Sequence, residues 1–161
     1  MIRSLLVVAL LFGCSGNPGG PTMNNKMTAP DPPASPVVST EILQREALVN
    51  TAKVKHILIS WKDLADAFDG HQDQRGQNRT KPEAEAIVKT LVGQLAAGAD
   101  FDQLMRDNSE DTGSAKSGTP YVVTPEAKLV IEFRQIGLRL KVGEIGVVQS
   151  DYGFHIVKRI E

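Results

Sequence analysis

Two apolar runs, far apart in the chain, constrain what it can fold into: Val54-Lys55-His56-Ile57-Leu58-Ile59-Ser60 and Tyr152-Gly153-Phe154-His155-Ile156-Val157-Lys158. Branched and aromatic residues bounded by polar punctuation predict a β-strand in each. Each run holds one of the chain's three histidines. A histidine in such a strand is either a core residue satisfied by a hydrogen bond or part of a site. The residues between the two runs bear on that choice.

With 161 residues the chain has room for one domain and appendages. Lys and Arg total 18 against 19 Asp and Glu, so no net field draws the protein to nucleic acid. Aromatic residues are only 5%, too few for a base-stacking platform. No closely spaced Cys and His set marks a metal site, and the single cysteine, Cys14, excludes an internal disulfide.

Residues 1–13 read as an export signal. Arg3 supplies the positive end, and Leu5 to Phe12 form an apolar core too short to span a bilayer. Leu11-Phe12-Gly13-Cys14 resembles a bacterial lipobox, in which Cys14 is lipidated and becomes the first mature residue. An ordinary signal peptide with a chance cysteine is the alternative. The expected address is the cell envelope, lipid-anchored; in a bacterium with two membranes, Ser15 after Cys14 resembles the outer-membrane sorting pattern, which favours the periplasmic face of the outer membrane over the inner one. Residues 14–50 are then a tether. Six of the nine prolines fall before Val37, and such a segment favours extended conformations. A short helix is predicted over 39–50, with Ile42, Leu43, Ala47 and Leu48 on one face.

The folded domain is expected over 51–161. After the first strand, Lys62 to Arg79 is polar with mixed charges. It reads as a solvated loop with a helical turn near Leu64 to Phe68, or alternatively as a basic loop that reads phosphate. Thr80 and Glu83 form a capping box around Pro82, and Ala84, Ile87, Val88, Leu91, Val92 and Leu95 follow helical spacing up to Gly98. Asp100 caps a second helix with Gln103 as its capping-box partner, and Asn108 to Ser117 reads as loop. Tyr121-Val122-Val123 is a short strand. Thr124-Pro125-Glu126 opens a third helix carrying Leu129, Val130 and Phe133. Ile145 to Gln149 and Phe154 to Ile160 form a hairpin. The order β-α-α-β-α-β-β predicts an α+β fold with helices on a four-stranded, mainly antiparallel sheet.

Four blocks, VKHILI, ADFDQLMRDNSED, KVGEIGVV and YGFHIVKRI, occur in an order that resembles parvulin-type (PpiC, rotamase) peptidyl-prolyl cis-trans isomerases over residues 54 to 161. The resemblance implies a four-stranded sheet flanked by helices. It implies that His56 and His155 lie side by side beneath an active site, with Asp111 facing the substrate. Leu129 and Phe133 match the pair that grips proline, Ser150 a hydroxyl position near the last hairpin, and Tyr152 an aromatic position of bacterial members. The chain departs from the pattern at Ser117-Gly118-Thr119-Pro120-Tyr121. There Pro120 falls where the pocket leucine would be, and Tyr121 replaces a glycine.

The implied reaction is rotation about an X-Pro bond, which breaks no bond and needs no cofactor. Amide resonance sets a barrier of about 18–20 kcal/mol, and the catalyst must favour the twisted amide. His56, Asp111 and His155 then act by charge and position, not by attack. The implied partners are extended, proline-containing exported polypeptides. A peptide-binding or chaperone module of the same fold that has lost catalysis is the alternative, motivated by the altered Gly118 to Tyr121 stretch. A metal centre built from His56, His155 and Asp111 is a weaker third.

Overall fold

The computed structural model describes residues 35–161. The expected signal, Cys14 and most of the tether lie outside the described residues. The strands are β1 (Ala52–Ile59), β2 (Tyr121–Val123), β3 (Ile145–Ser150) and β4 (Gly153–Arg159). They form one sheet in the order β2-β1-β4-β3, with each pair antiparallel. The two histidine-bearing runs are therefore the two central strands. The helices are α1 (Thr40–Leu43), α2 (Gln74–Gln77), α3 (Lys81–Ala96), α4 (Phe101–Asn108), α5 (Thr112–Ser117) and α6 (Ile131–Arg139), with a 3₁₀ helix at Lys62–Phe68. The α+β class and the main elements follow the expectation. Short helices absent from the sequence reading fill the connections.

Side chains alternate between the faces of a strand, so each sheet face has its own core. Ile57, Ile59, Val147, Phe154 and Ile156 face α3 and α4, meeting Ala84, Val88, Leu91, Phe101 and Met105. Val54, Val123, Val148 and Val157 face α6, meeting Phe133, Ile136 and Leu140. The histidines lie on this second face, in register with these valines.

The caps explain where the helices sit. Glu83 accepts hydrogen bonds from the Thr80 backbone N–H at 2.6 Å and the Thr80 hydroxyl at 2.8 Å, fixing the start of α3. Gly98, at φ +95°, turns the chain out of α3 in a conformation that side chains disfavour. Asp100 accepts from the Gln103 N–H at 2.7 Å. The Gln103 side chain does not return to close a box as expected. It donates to Asp107 one turn on, at 2.9 and 3.0 Å.

Three local expectations are corrected. The helix expected over 39–50 is only Thr40–Leu43; Ile42 is buried, whereas Leu48 is exposed. The chain is held there by β3: the Ser39 N–H donates to Val147 O at 2.8 Å, and the Val147 N–H donates to Ser39 Oγ at 2.9 Å. Packing against the sheet thus begins upstream of Thr51. The stretch Asn108 to Ser117 is not all loop, because Asp111 caps α5. The helix expected from Thr124 starts at Ile131 instead. Thr124 to Val130 is a turn, with the Ala127 N–H donating to Thr124 O at 3.2 Å and the Leu129 N–H to Ala127 O at 2.8 Å.

Candidate active site

In the β1–β4 ladder His56 pairs with Val157 and Leu58 with His155, so the histidines are diagonal neighbours on the α6 face. Their rings stack at 20° with centroids 5.2 Å apart, and their Nδ1 atoms are 3.1 Å apart. His56 Nε2 lies 2.9 Å from Asp111 Oδ2, and His155 Nε2 lies 2.7 Å from Ser150 Oγ. Ser150 Oγ also accepts the Tyr152 N–H at 3.1 Å. Both histidines are 5% exposed, so their ring nitrogens depend on these partners.

One arrangement of protons satisfies every partner in this chain of hydrogen bonds. The Ser150 hydroxyl donates to His155 Nε2, His155 Nδ1–H donates to His56 Nδ1, and His56 Nε2–H donates to the Asp111 carboxylate. Burial pushes the His155 imidazole down to about 3, and the neighbouring His56 adds to the effect, so His155 is neutral at pH 7.

Asp111 joins the site to α5. Its Oδ1 accepts the Ser114 N–H at 3.4 Å, which caps the helix, and its Oδ2 accepts the hydroxyls of Ser114 and Tyr121, both at 2.7 Å. The His56 hydrogen bond does most to hold its carboxyl well below the usual carboxylate range, against desolvation, and those two hydroxyls add to it. Burial and the Asp111 partner push the Tyr121 phenol up to about 12, so it remains a donor at pH 7. The His-His-Asp arrangement is a linear relay with its inner nitrogens occupied, not a set converging on one point. Among the described residues no group of three or more His, Cys, Asp or Glu could hold a metal ion.

Above the relay is an open cavity of about 480 Å³. Phe133 forms much of its floor, standing edge-on to His56, His155 and Tyr121 at centroid distances of 5.1, 5.4 and 5.8 Å. Leu129, Val130, Leu58, Phe68 and Tyr152 supply further apolar wall. Of the residues singled out in the sequence, His56, Asp111, Leu129, Phe133, Tyr152 and His155 all line this cavity. Ser150 does not; it lies behind His155 as its hydrogen-bond partner. Pro120 does not line it either, and Tyr121 occupies that side.

Sequence reasoning missed Phe68, Leu58, Val130 and Lys128 as lining residues, along with the donors Ser114 and Tyr121. Period-two spacing from His56 points to Leu58. An Asp three residues before Ser114 is a cap signal that points to α5. Nothing local to Phe68 points to it, because its place depends on how the Lys62–Arg79 loop folds back.

Comparison with known proteins agrees with this geometry. Residues 40–161 match the family model of the PPIC-type PPIase domain. The foldase protein PrsA of Geobacillus kaustophilus is 31% identical over 122 residues, covering 75% of this chain and 43% of that protein. PrsA of Geobacillus sp. is 28% identical, covering 73% and 43%. The chain therefore spans less than half the length of these curated relatives. Two solved structures share the fold. Peptidyl-prolyl isomerase ESS1 from Candida albicans has a TM-score of 0.57 at 19% identity, covering 70% of this chain and 63% of that one. The solution structure of TbPIN1 has a TM-score of 0.59 at 21% identity, covering 71% and 100%. With the matched family model spanning all four strands and the whole histidine relay, the chain belongs to the PPIC-type peptidyl-prolyl cis-trans isomerase domain family.

Proposed function

We propose that this chain is a peptidyl-prolyl cis-trans isomerase that assists the folding of exported polypeptides at the cell envelope. The observation that carries this reading is an apolar cavity set directly on a buried, hydrogen-bonded relay whose far end is a carboxylate. Leu129 and Phe133 offer a surface for the pyrrolidine ring. Withdrawing water from the prolyl carbonyl disfavours the planar amide, which is more polar than the twisted one. As conjugation is lost the prolyl nitrogen becomes basic, and the fixed donors and charge around Asp111 act on that altered electron distribution. No covalent intermediate is required, since nothing leaves.

The export signal and Cys14 lipobox support a lipid-anchored location, and the PrsA relatives, named as foldases, support a folding role. The partners are extended, proline-containing chains. A second reading, a peptide-binding module without catalysis, is favoured by one observation. The Tyr121 hydroxyl sits on Asp111 at 2.7 Å, so the carboxylate facing the cavity is already occupied.

Exchange NMR on Ala-X-Pro peptides tests both readings. The isomerase reading expects cis-trans exchange faster than the uncatalysed tens of seconds or longer. Peptide shifts with no change in exchange would replace it with the binding module, and neither effect would remove both.

A further inference from the structure

The Lys62–Arg79 loop is closed at its neck, where the Lys62 N–H donates to Arg79 O at 3.0 Å. A buried polar cluster fills the space beneath it. Glu110 Oε2 accepts the Ser60 N–H at 2.8 Å and the Ser60 hydroxyl at 2.5 Å, and Oε1 pairs with Arg79. The Glu110 side chain is 1% exposed. Gln72 donates to Trp61 O at 2.8 Å and to Ser60 Oγ at 3.2 Å. Gly76 packs so tightly on this cluster that a Cβ there would overlap Ser60 Oγ.

This anchoring settles where the loop's arginines go. Arg79 faces inward to Glu110. Arg75 pairs with Asp73 at 2.9 Å and donates to the carbonyls of Asp107, Asn108 and Ser109 at 3.3, 3.3 and 3.0 Å. Both guanidiniums are spent on holding the loop to the body. The loop's exposed charges are then Lys62 and Arg75, the latter already paired with Asp73, against Asp63, Asp66 and Asp69, an unfavourable setting for a phosphate or carboxylate. What the loop presents to the cavity is Phe68, whose ring meets Tyr152 edge-to-face at 5.4 Å.

We propose that Phe68 is a substrate-contacting residue that forms with Tyr152 an aromatic subsite for an apolar side chain flanking the proline, and that Glu110 is the positioning residue that holds Phe68 there. This rests on the cavity being a proline-peptide site, as read above. Two half-exposed aromatic rings beside the proline pocket supply apolar contact area with few rotamers to freeze. Glu110 borders the same cavity, and its hydrogen bonds reach Phe68 through Arg79, Ser60 and the loop. It also immediately precedes Asp111, so the same short segment sets both the relay and the subsite.

The test uses the full chain and two peptide series, with Leu, Phe, Ala, Glu or phosphoserine placed before or after proline. Exchange rates and binding shifts are read in the same NMR spectra. In one series Leu and Phe are expected to exceed Ala about tenfold in kcat/KM, the scale of one partly buried side chain, with Glu and phosphoserine at or below Ala. Phe68→Ala is expected to bring the Leu/Ala ratio to near one. Glu110→Gln is expected to lower the same ratio, and to lower it no further once Phe68 is Ala. Ser60→Ala, a milder lesion in the same cluster, serves if Glu110→Gln does not fold.

A ratio unchanged by Phe68→Ala, or a preference for anionic residues, overturns the subsite. Effects of Glu110→Gln and Phe68→Ala that simply add overturn the positioning role. If no peptide exchanges faster, the isomerase reading fails. The Leu/Ala ratio of Kd, with and without Phe68, then decides the subsite.

Discussion

His56 and His155 present their Nδ1 atoms to each other at 3.1 Å, a separation that requires one proton between them and no more. Two bare nitrogens would repel, and two N–H groups would clash. The pair is therefore a coupled unit whose protonation is set from its ends, by Asp111 on one side and Ser150 on the other.

The first consequence is acid sensitivity. His155 is held near 3 in the folded state against about 6.5 when unfolded. The unfolded chain thus binds more protons between these values. The stability from neutral His155 is complete above pH 6.5 and is lost as pH falls from there toward 3. Asp111, held below its ordinary value of 3.8, adds a further loss below that pH. Unfolding free energies from urea titrations between pH 7.5 and 4 should fall on acidification, with a limiting slope of about 1.4 kcal/mol per pH unit for one proton. His155→Gln should flatten the curve above pH 4. An equal slope in wild type and variant would assign the sensitivity elsewhere.

Asp111 has two separable jobs. Asn at this position keeps a side-chain oxygen for the Ser114 N–H, whereas Ala loses the cap. Asp111→Ala is expected to be less stable than Asp111→Asn by about 1 kcal/mol. Both variants remove the charge opposite His56, and both should lose roughly tenfold in kcat/KM. Thermal melts alongside exchange NMR separate the effects. Equal stability with unequal activity would contradict this division.

Phe133→Ala is a poor test of the proline pocket taken alone. The residue is 3% exposed and part of the α6-face core, so truncation should cost about 3–5 kcal/mol of stability. Phe133→Leu fills more of the space and should cost about 1–2 kcal/mol, while still removing the ring edges over both histidines. Activity lost in Phe133→Leu, with the fold retained by circular dichroism, would be a site effect.

Gly76→Ala should also destabilise, by about 1–3 kcal/mol, because the added methyl must displace Ser60 Oγ from Glu110. Gly93→Ala is the control. Its surroundings are open and it lies within α3, so it should stabilise by up to about 1 kcal/mol. A neutral Gly76→Ala would mean that the loop is not clamped as described.

Much of this fold was legible because its signals are local. The Thr80–Glu83 cap and the spacing of Ala84, Val88, Leu91 and Leu95 specify α3 without reference to the rest of the chain. Runs of branched and aromatic residues bounded by polar ones did the same for β1 and β4. The misread pieces depend on partners distant in sequence. The segment around Ile42 stops being helical at Leu43, because it must meet β3 and the α6-face core. The site divided in the same way. The histidines and Asp111 stood out through a joint pattern. Pro120 drew attention by falling where the resemblance places a pocket leucine, but it does not line the cavity. Phe68 drew none; the loop that carries it starts beside Ser60, whose N–H donates to Glu110 fifty positions away, a contact no window of sequence contains.

The strand order has a consequence for how the molecule comes into being. The partner of β1 at the centre of the sheet is β4, and the two histidines are separated by 99 positions along the chain. A chain emerging from its N-terminus exposes the apolar faces of β1, α3 and α4 long before the strand that completes them appears. Such non-local pairing slows folding and prolongs exposure to aggregation. A protein proposed to help others through slow folding steps is thus, by its own topology, dependent on protection until its last strand is in place.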